Sequence, residues 1–105
     1  MKVCVVGAGA IGGYMAVRIA QAGHDVSVIA RGPHLAAIRE RGLKLIEADQ
    51  EFVATNLTAT DNIRDLGPQD VVLLALKAHQ IEVVVDDLSA LIGANTVLVL
   101  SLIHI

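Results

Sequence analysis

The sequence predicts an α/β fold, doubly wound about a mostly parallel sheet. Three observations predict it. Short aliphatic runs alternate along the chain with segments whose apolar residues recur at helical spacing. Glycines and prolines punctuate those segments at 7–13, 23, 32–33, 42, 67–68 and 93. Apolar residues make up 54% of the 105 residues and aromatics 2%. The core is therefore aliphatic, as in strands buried on both faces of a parallel sheet.

The elements follow in order. Val3–Val6 is a strand-length apolar run bounded by Gly7. Ala10–Ala22 reads as a helix with Ile11, Met15, Ile19 and Ala22 at helical spacing, and Gly23 stands where a helix-terminating glycine belongs. Val26–Ala30 is a second strand. Pro33 suits the first turn of a helix over Leu35–Arg41, which Gly42 stops. Leu43–Ile46 and Phe52–Thr55 flank the polar turn Ala48-Asp49-Gln50-Glu51 and form a hairpin. Asp61–Leu66 is a helical turn with Asp61 as its cap. After Gly67-Pro68, Val71–Leu76 is a buried strand. Gln80–Leu91 follows as a helix, on the spacing of Ile81, Val84, Val85, Leu88 and Leu91, because the valine run has low helix propensity. Val97–Leu100 is a last strand.

Several function classes are excluded at this stage. The length allows one domain. A net charge of −3 argues against a nucleic-acid binder, which carries a basic patch. The longest apolar runs are strand-sized, far short of the ~20 residues of a membrane span. Lys2 and the apolar stretch after it imitate a signal peptide, but glycines interrupt the stretch and Arg18 ends it. Asn56-Leu57-Thr58 matches a glycosylation acceptor that has no meaning in the cytoplasm, the expected compartment. Cys4 alone makes no disulfide and belongs in the core of the first strand. The four histidines are scattered and no metal constellation is visible.

The chemistry concentrates at the ends of strands. Gly7-Ala8-Gly9-Ala10-Ile11-Gly12 is a GxGxxG motif between a strand and a helix, the context that marks a Rossmann-type dinucleotide site. Gly7 makes the tight turn, Gly9 lets backbone approach a pyrophosphate, and Gly12 lets the helix pack against the sheet. The helix N-terminus offers N–H groups to the phosphates. At the end of the second strand, where NAD-binding units carry an acid for the ribose 2′-OH, this chain has Arg31. A guanidinium there suits a 2′-phosphate, so the expected cofactor is NADP(H). Arg39, Arg41 and Lys44 read as solvated basic faces. Lys77 follows the strand Val71–Leu76 on the edge where ligands bind. Position alone does not separate a cofactor contact from an ordinary surface lysine. His79 reads as a helix-start residue and His24 as turn chemistry.

Together, Met1-Lys2-Val3, Gly7–Gly13, Ala30-Arg31-Gly32, the segment His34–Leu45 and Leu76-Lys77-Ala78-His79-Gln80 resemble ketopantoate reductase (2-dehydropantoate 2-reductase). The resemblance runs from residue 1 to about 99. It implies an NADPH-dependent reduction of the small ketoacid 2-dehydropantoate to pantoate, a step towards pantothenate. It implies that Gly7–Gly12 holds the pyrophosphate, Arg31 the 2′-phosphate, and Lys77 the cofactor near its reacting end. The family also carries an Asn-Gly pair after the last strand and a helical second domain that supplies the proton-donating lysine. This chain reads Ser101-Leu102-Ile103-His104-Ile105 there. Hence no catalytic acid is assigned to it, and it is expected to be an inactive cofactor-binding portion. Residues 100–105 read LSLIHI, which one frame of a transposase sequencing adapter (CTG TCT CTT ATA CAC ATC) encodes. The expectation is a native NADP-binding domain over 1–99 and a non-native tail over 100–105. Two alternatives stay open: another NADP-dependent hydroxyacid dehydrogenase, and a stand-alone nucleotide-sensing module. The second type usually has an acid where this chain has Arg31. The oligomeric state is not readable from the sequence.

Overall fold

A computed structural model describes residues 1–7, 10–76 and 84–100. Its strands are β1 (Lys2–Val6), β2 (Asp25–Ile29), β3 (Leu43–Glu47), β4 (Gln50–Ala54), β5 (Leu57–Thr60), β6 (Gln69–Leu74) and β7 (Ile92–Leu100). The helices are α1 (Ala10–Gln21) and α2 (Gly32–Arg41). Residues 84–88 are also helical and run into a short 3-10 turn, Ser89–Leu91.

Five strands form one parallel sheet in the order β5-β2-β1-β6-β7. The chain winds outward from β1 to β5, then returns to place β6 on the other side of β1. Strand order therefore reverses between β1 and β6, and in open α/β sheets the crevice beyond such a reversal is where ligands bind.

Alternation along the strands fills two cores. Val3, Val5, Val26, Val28 and Leu73 pack with Ala16, Val17 and Ala20 of α1 and with Leu35 and Ile38 of α2. Cys4, Val6, Ile29, Val72 and Leu74 pack with Ile63, Val84, Leu88 and Leu91 on the opposite face. Both faces of the sheet are thus covered, which is why β1, β2 and β6 are near-continuous aliphatic runs.

Helix α1 stops as its sequence requires. The His24 N–H donates to the Ile19 carbonyl at 3.4 Å and the Gly23 N–H to the Ala20 carbonyl at 3.0 Å, a paired closure around Gly23. The hairpin forms with full register, Leu43↔Ala54 through Glu47↔Gln50. Its turn is tighter than the four polar residues suggest, because only Ala48 and Asp49 lie outside the strands. Leu43 and Ala54 are buried and join the core that α1 covers, with Leu45 and Phe52 packed against it.

Two sequence expectations need correction, and one strand has no counterpart in the sequence reading. Leu57–Thr60 is that strand, its two threonines and one alanine making no aliphatic run. The turn after it is a 3-10 helix over Ile63–Asp65, capped by the side chain of Asn62, which accepts from the Arg64 N–H, and not by Asp61. The last strand begins at Ile92 and includes Gly93, with a register shift between Gln69 and Val71 on its partner. The Thr96 hydroxyl spans that irregularity: it donates to the Gln69 carbonyl at 2.6 Å and accepts from the Gly93 N–H at 2.7 Å. The first part of the expected helix over Gln80–Leu91 falls outside the described residues. No helix among those described is long and apolar enough to cross a membrane.

Candidate functional site

The site is built where β1, β2 and β6 end. Register sets the three ends side by side: Val6 pairs with Ile29 on one flank and with Leu74 on the other. Gly7, Arg31 and Ala75 therefore emerge along one edge of the sheet.

Gly7 leaves β1 with φ at +100°, a conformation that L side chains rarely adopt. A Cβ there would stand 2.5 Å from the Ala75 carbonyl oxygen and 2.7 Å from Cδ2 of Leu76. At Gly12, in the first turn of α1, a Cβ would collide with the Gly7 carbonyl and come within 3.1 Å of the Ala75 methyl group. Both positions must be glycine for α1 to start this close to the sheet. Helix α1 begins at Ala10, so its first N–H groups face the same edge. Ala10 and Ile11 contribute helical backbone. Ala8 and Gly9 lie outside the described residues.

At the end of β2 the Ala30 N–H donates to the Thr60 carbonyl at 3.1 Å, holding the chain as it leaves the sheet. Arg31 then takes the N-cap position of α2 in an extended conformation (φ −135°, ψ 156°), without a side-chain capping bond. It is exposed, and its guanidinium makes no hydrogen bond or ion pair with any described residue. The first turn of α2 carries no acid. A cation at a helix N-terminus opposes the helix dipole. Arg31 thus costs the free chain a little stability and suits an anionic partner.

Among the described residues, several other cations are engaged elsewhere. Arg39 is exposed, as its place on a basic face predicts, and its Nε also donates to the Ala59 carbonyl on β5 at 3.0 Å. Lys44 pairs with Glu51 across the hairpin at 3.2 Å. Arg18 lies over the rings of both Tyr14 and Phe52, at 5.6 and 5.1 Å from their centroids, and so ties α1 to the hairpin. His24 is within 3.3 Å of the N-terminal amine. Cys4 is fully buried, and desolvation pushes its thiol up to about 12, which makes it inert at neutral pH. No group of three or more metal-ligating side chains exists among the described residues. Lys77 and His79 lie outside them.

Sequence reasoning missed Ala75 and Leu76 as neighbours of the glycine loop. The motif says that the helix must pack closely, but not against what. Only the β1–β6 pairing, made across some 70 residues of chain, supplies that answer.

A sequence profile of the family described as ketopantoate reductase PanE/ApbA matches residues 3–102. The chain belongs to the ketopantoate reductase family. It is 47% identical over 97 residues to 2-dehydropantoate 2-reductase of Mesorhizobium japonicum, a match covering 91% of this chain and 29% of the relative. The crystal structure of 2-dehydropantoate 2-reductase from Porphyromonas gingivalis W83 superposes with a TM-score of 0.84 at 35% identity, over 93% of this chain and 37% of that one. A ternary structure of D-mandelate dehydrogenase with NADH and anilino(oxo)acetate superposes with a TM-score of 0.85 at 28% identity, over 100% and 34%. This member of the ketopantoate reductase family therefore spans roughly a third of the length of the proteins it matches.

Proposed function

We propose that this chain is the cofactor-holding part of a 2-dehydropantoate 2-reductase, with NADP(H) as its dinucleotide and a small 2-ketoacid as the substrate of the whole enzyme. The observation that carries the reading is the glycine cradle at the sheet reversal with Arg31 at the neighbouring strand end. Gly7–Gly12 and the first turn of α1 take the pyrophosphate, since Gly7 and Gly12 let α1 start close against the sheet with its first N–H groups at the crevice. Arg31 takes the 2′-phosphate through charge-assisted hydrogen bonds. Lys77, which continues the chain from Ala75 and Leu76, contacts the cofactor towards its reacting end. Bound NADPH supplies the hydride. The resulting alkoxide needs a proton donor, and none of these 105 residues is assigned that role. The chain by itself is expected to oxidise no NADPH with 2-dehydropantoate. The encoding DNA beyond codon 99 tests the division into 1–99 and a tail over 100–105.

Family likeness alone does not choose the dinucleotide, since the D-mandelate dehydrogenase neighbour was solved with NADH. Arg31 makes the choice. A charge-assisted hydrogen bond is worth about 1.5–3 kcal/mol, or ten- to hundredfold in affinity. Fluorescence titration of the chain with NADPH and NADH is expected to show a preference of that size for NADPH. The Arg31→Ala variant is expected to lose the preference by weakening NADPH while leaving NADH unchanged. Equal affinities in the unaltered chain would overturn the assignment.

A further inference from the structure

Ala75 touches the end of β1 once and the glycine loop twice. Its N–H donates to the Val6 carbonyl at 2.9 Å, which carries the β1–β6 ladder one residue past the end of β6. Its carbonyl oxygen occupies the space in which a Cβ on Gly7 would have to fit. Its methyl group lies against Gly12, 3.1 Å from the position a Cβ would take there, closer than ordinary van der Waals contact. Ala75 is buried, at 8% exposed, so a larger side chain there has little free space. One residue thus sets the end of β1, the turn out of β1 and the first turn of α1 against β6.

We infer that Ala75 is a positioning residue for dinucleotide binding: it fixes how deeply the glycine loop seats in the crevice between β1 and β6, and it has to be small to do so. This rests on the reading that the loop holds the pyrophosphate. A larger side chain at 75 grows from a methyl group that already stands 3.1 Å from where a Cβ on Gly12 would lie, so it meets the first turn of α1. Interiors are close-packed and do not absorb added carbons freely. The start of α1 gives way, because Ala75 itself is tied to β1 in the five-stranded sheet by its N–H bond to the Val6 carbonyl. The N-terminus of α1 therefore shifts outward, and the N–H groups that converge on the pyrophosphate lose alignment. Arg31 is attached to β2 and α2, away from this contact, so the 2′-phosphate end is left in place.

The test separates the two ends of the cofactor. NADPH and adenosine 2′-monophosphate, which lacks the pyrophosphate, are titrated into the unaltered chain and into Ala75→Leu, with folding checked by far-UV circular dichroism. Ala75→Leu is expected to weaken NADPH by about tenfold or more and adenosine 2′-monophosphate by less than about twofold. Ala75→Gly, which removes the methyl group, is expected to stay within about threefold of the unaltered chain for both. Where Ala75→Leu does not fold, Ala75→Val takes its place with the same expected split. Unchanged NADPH affinity in the enlarged variant overturns the inference, as does an equal loss for both ligands. Failure of the unaltered chain to bind NADPH at all overturns the cofactor reading, and the inference with it.

Discussion

Cys4 shows what a single buried residue imposes on this chain. It sits in the central strand with no exposed surface, and burial raises its thiol to about 12. The unfolded chain releases that proton at an ordinary thiol value, ~8.5. Between these values the unfolded state binds fewer protons than the folded one, so stability falls as pH rises. The limiting slope from one such group is about 1.4 kcal/mol per pH unit, and the full stabilisation is present below the thiol's unfolded value. Urea denaturation between pH 8 and 11 is expected to show this loss. In Cys4→Ala the alkaline slope should be shallower, even though the variant begins less stable because of the cavity it leaves. An identical slope in both proteins would assign the alkaline loss to other groups. In the same way Gly7 and Gly12 are legible as glycines that must be glycines, while the partner that makes them so, Ala75, is an ordinary alanine until the fold is known.

At the scale of elements, the hairpin β3–β4 carries a correctable strain. A two-residue hairpin loop favours Asn-Gly because both central residues take positive φ. Here they are Ala48 and Asp49, at φ 47° and 66°. An L residue in that region costs ~1 kcal/mol or more. The double substitution Ala48→Asn, Asp49→Gly is expected to raise stability by about 1 kcal/mol, read as a higher urea midpoint with an unchanged slope. A lower midpoint would mean that the Asp49 side chain contributes more than its backbone costs. The same elements mark the limits of reading from sequence. The strands β1, β2 and β6 are legible because burial on both faces keeps them rich in Val, Ile and Leu, with only Cys4 and Ser27 set among them. By contrast, β5 is an edge strand, and Leu57-Thr58-Ala59-Thr60 lacks that signature. Asn62 rather than Asp61 caps the turn after it, a one-residue choice that the backbone makes and composition does not. The hairpin itself is visible, but not its packing against α1, because that depends on Arg18 meeting Phe52 across 34 residues of chain.

For the molecule as a whole, the two sheet edges differ. On one side β5 is four residues long, and Arg39 occupies the outward Ala59 carbonyl. On the other, β7 runs nine residues with Val97, Leu98, Val99 and Leu100 each 41–57% exposed and no charged residue among the nine. Long apolar edges invite pairing with another chain. Sedimentation velocity at rising concentration is expected to show self-association of the 105-residue chain, and Val97→Lys is expected to suppress it. A monomer across the whole range would show that β7 is protected. The NADP-binding assignment does not depend on the outcome, since Gly7, Arg31 and Ala75 lie at the ends of the strands and not along this edge.

The pairing of β1 with β6 has a consequence in time. The hydrogen bond from the Lys2 N–H to the Asp70 carboxylate joins residues 68 apart, and Val3 pairs with Val71 across the same interval. Closing so long a loop is entropically costly and slow compared with forming α1 or the hairpin. A ribosome therefore makes the glycine loop first, yet Gly7 and Gly12 gain their opposing wall only when Ala75 has been made and β6 has docked. The earliest residues of the chain to be synthesised are among the last to acquire their working shape. A dinucleotide present during synthesis meets no finished cradle until most of the 105 residues have been assembled.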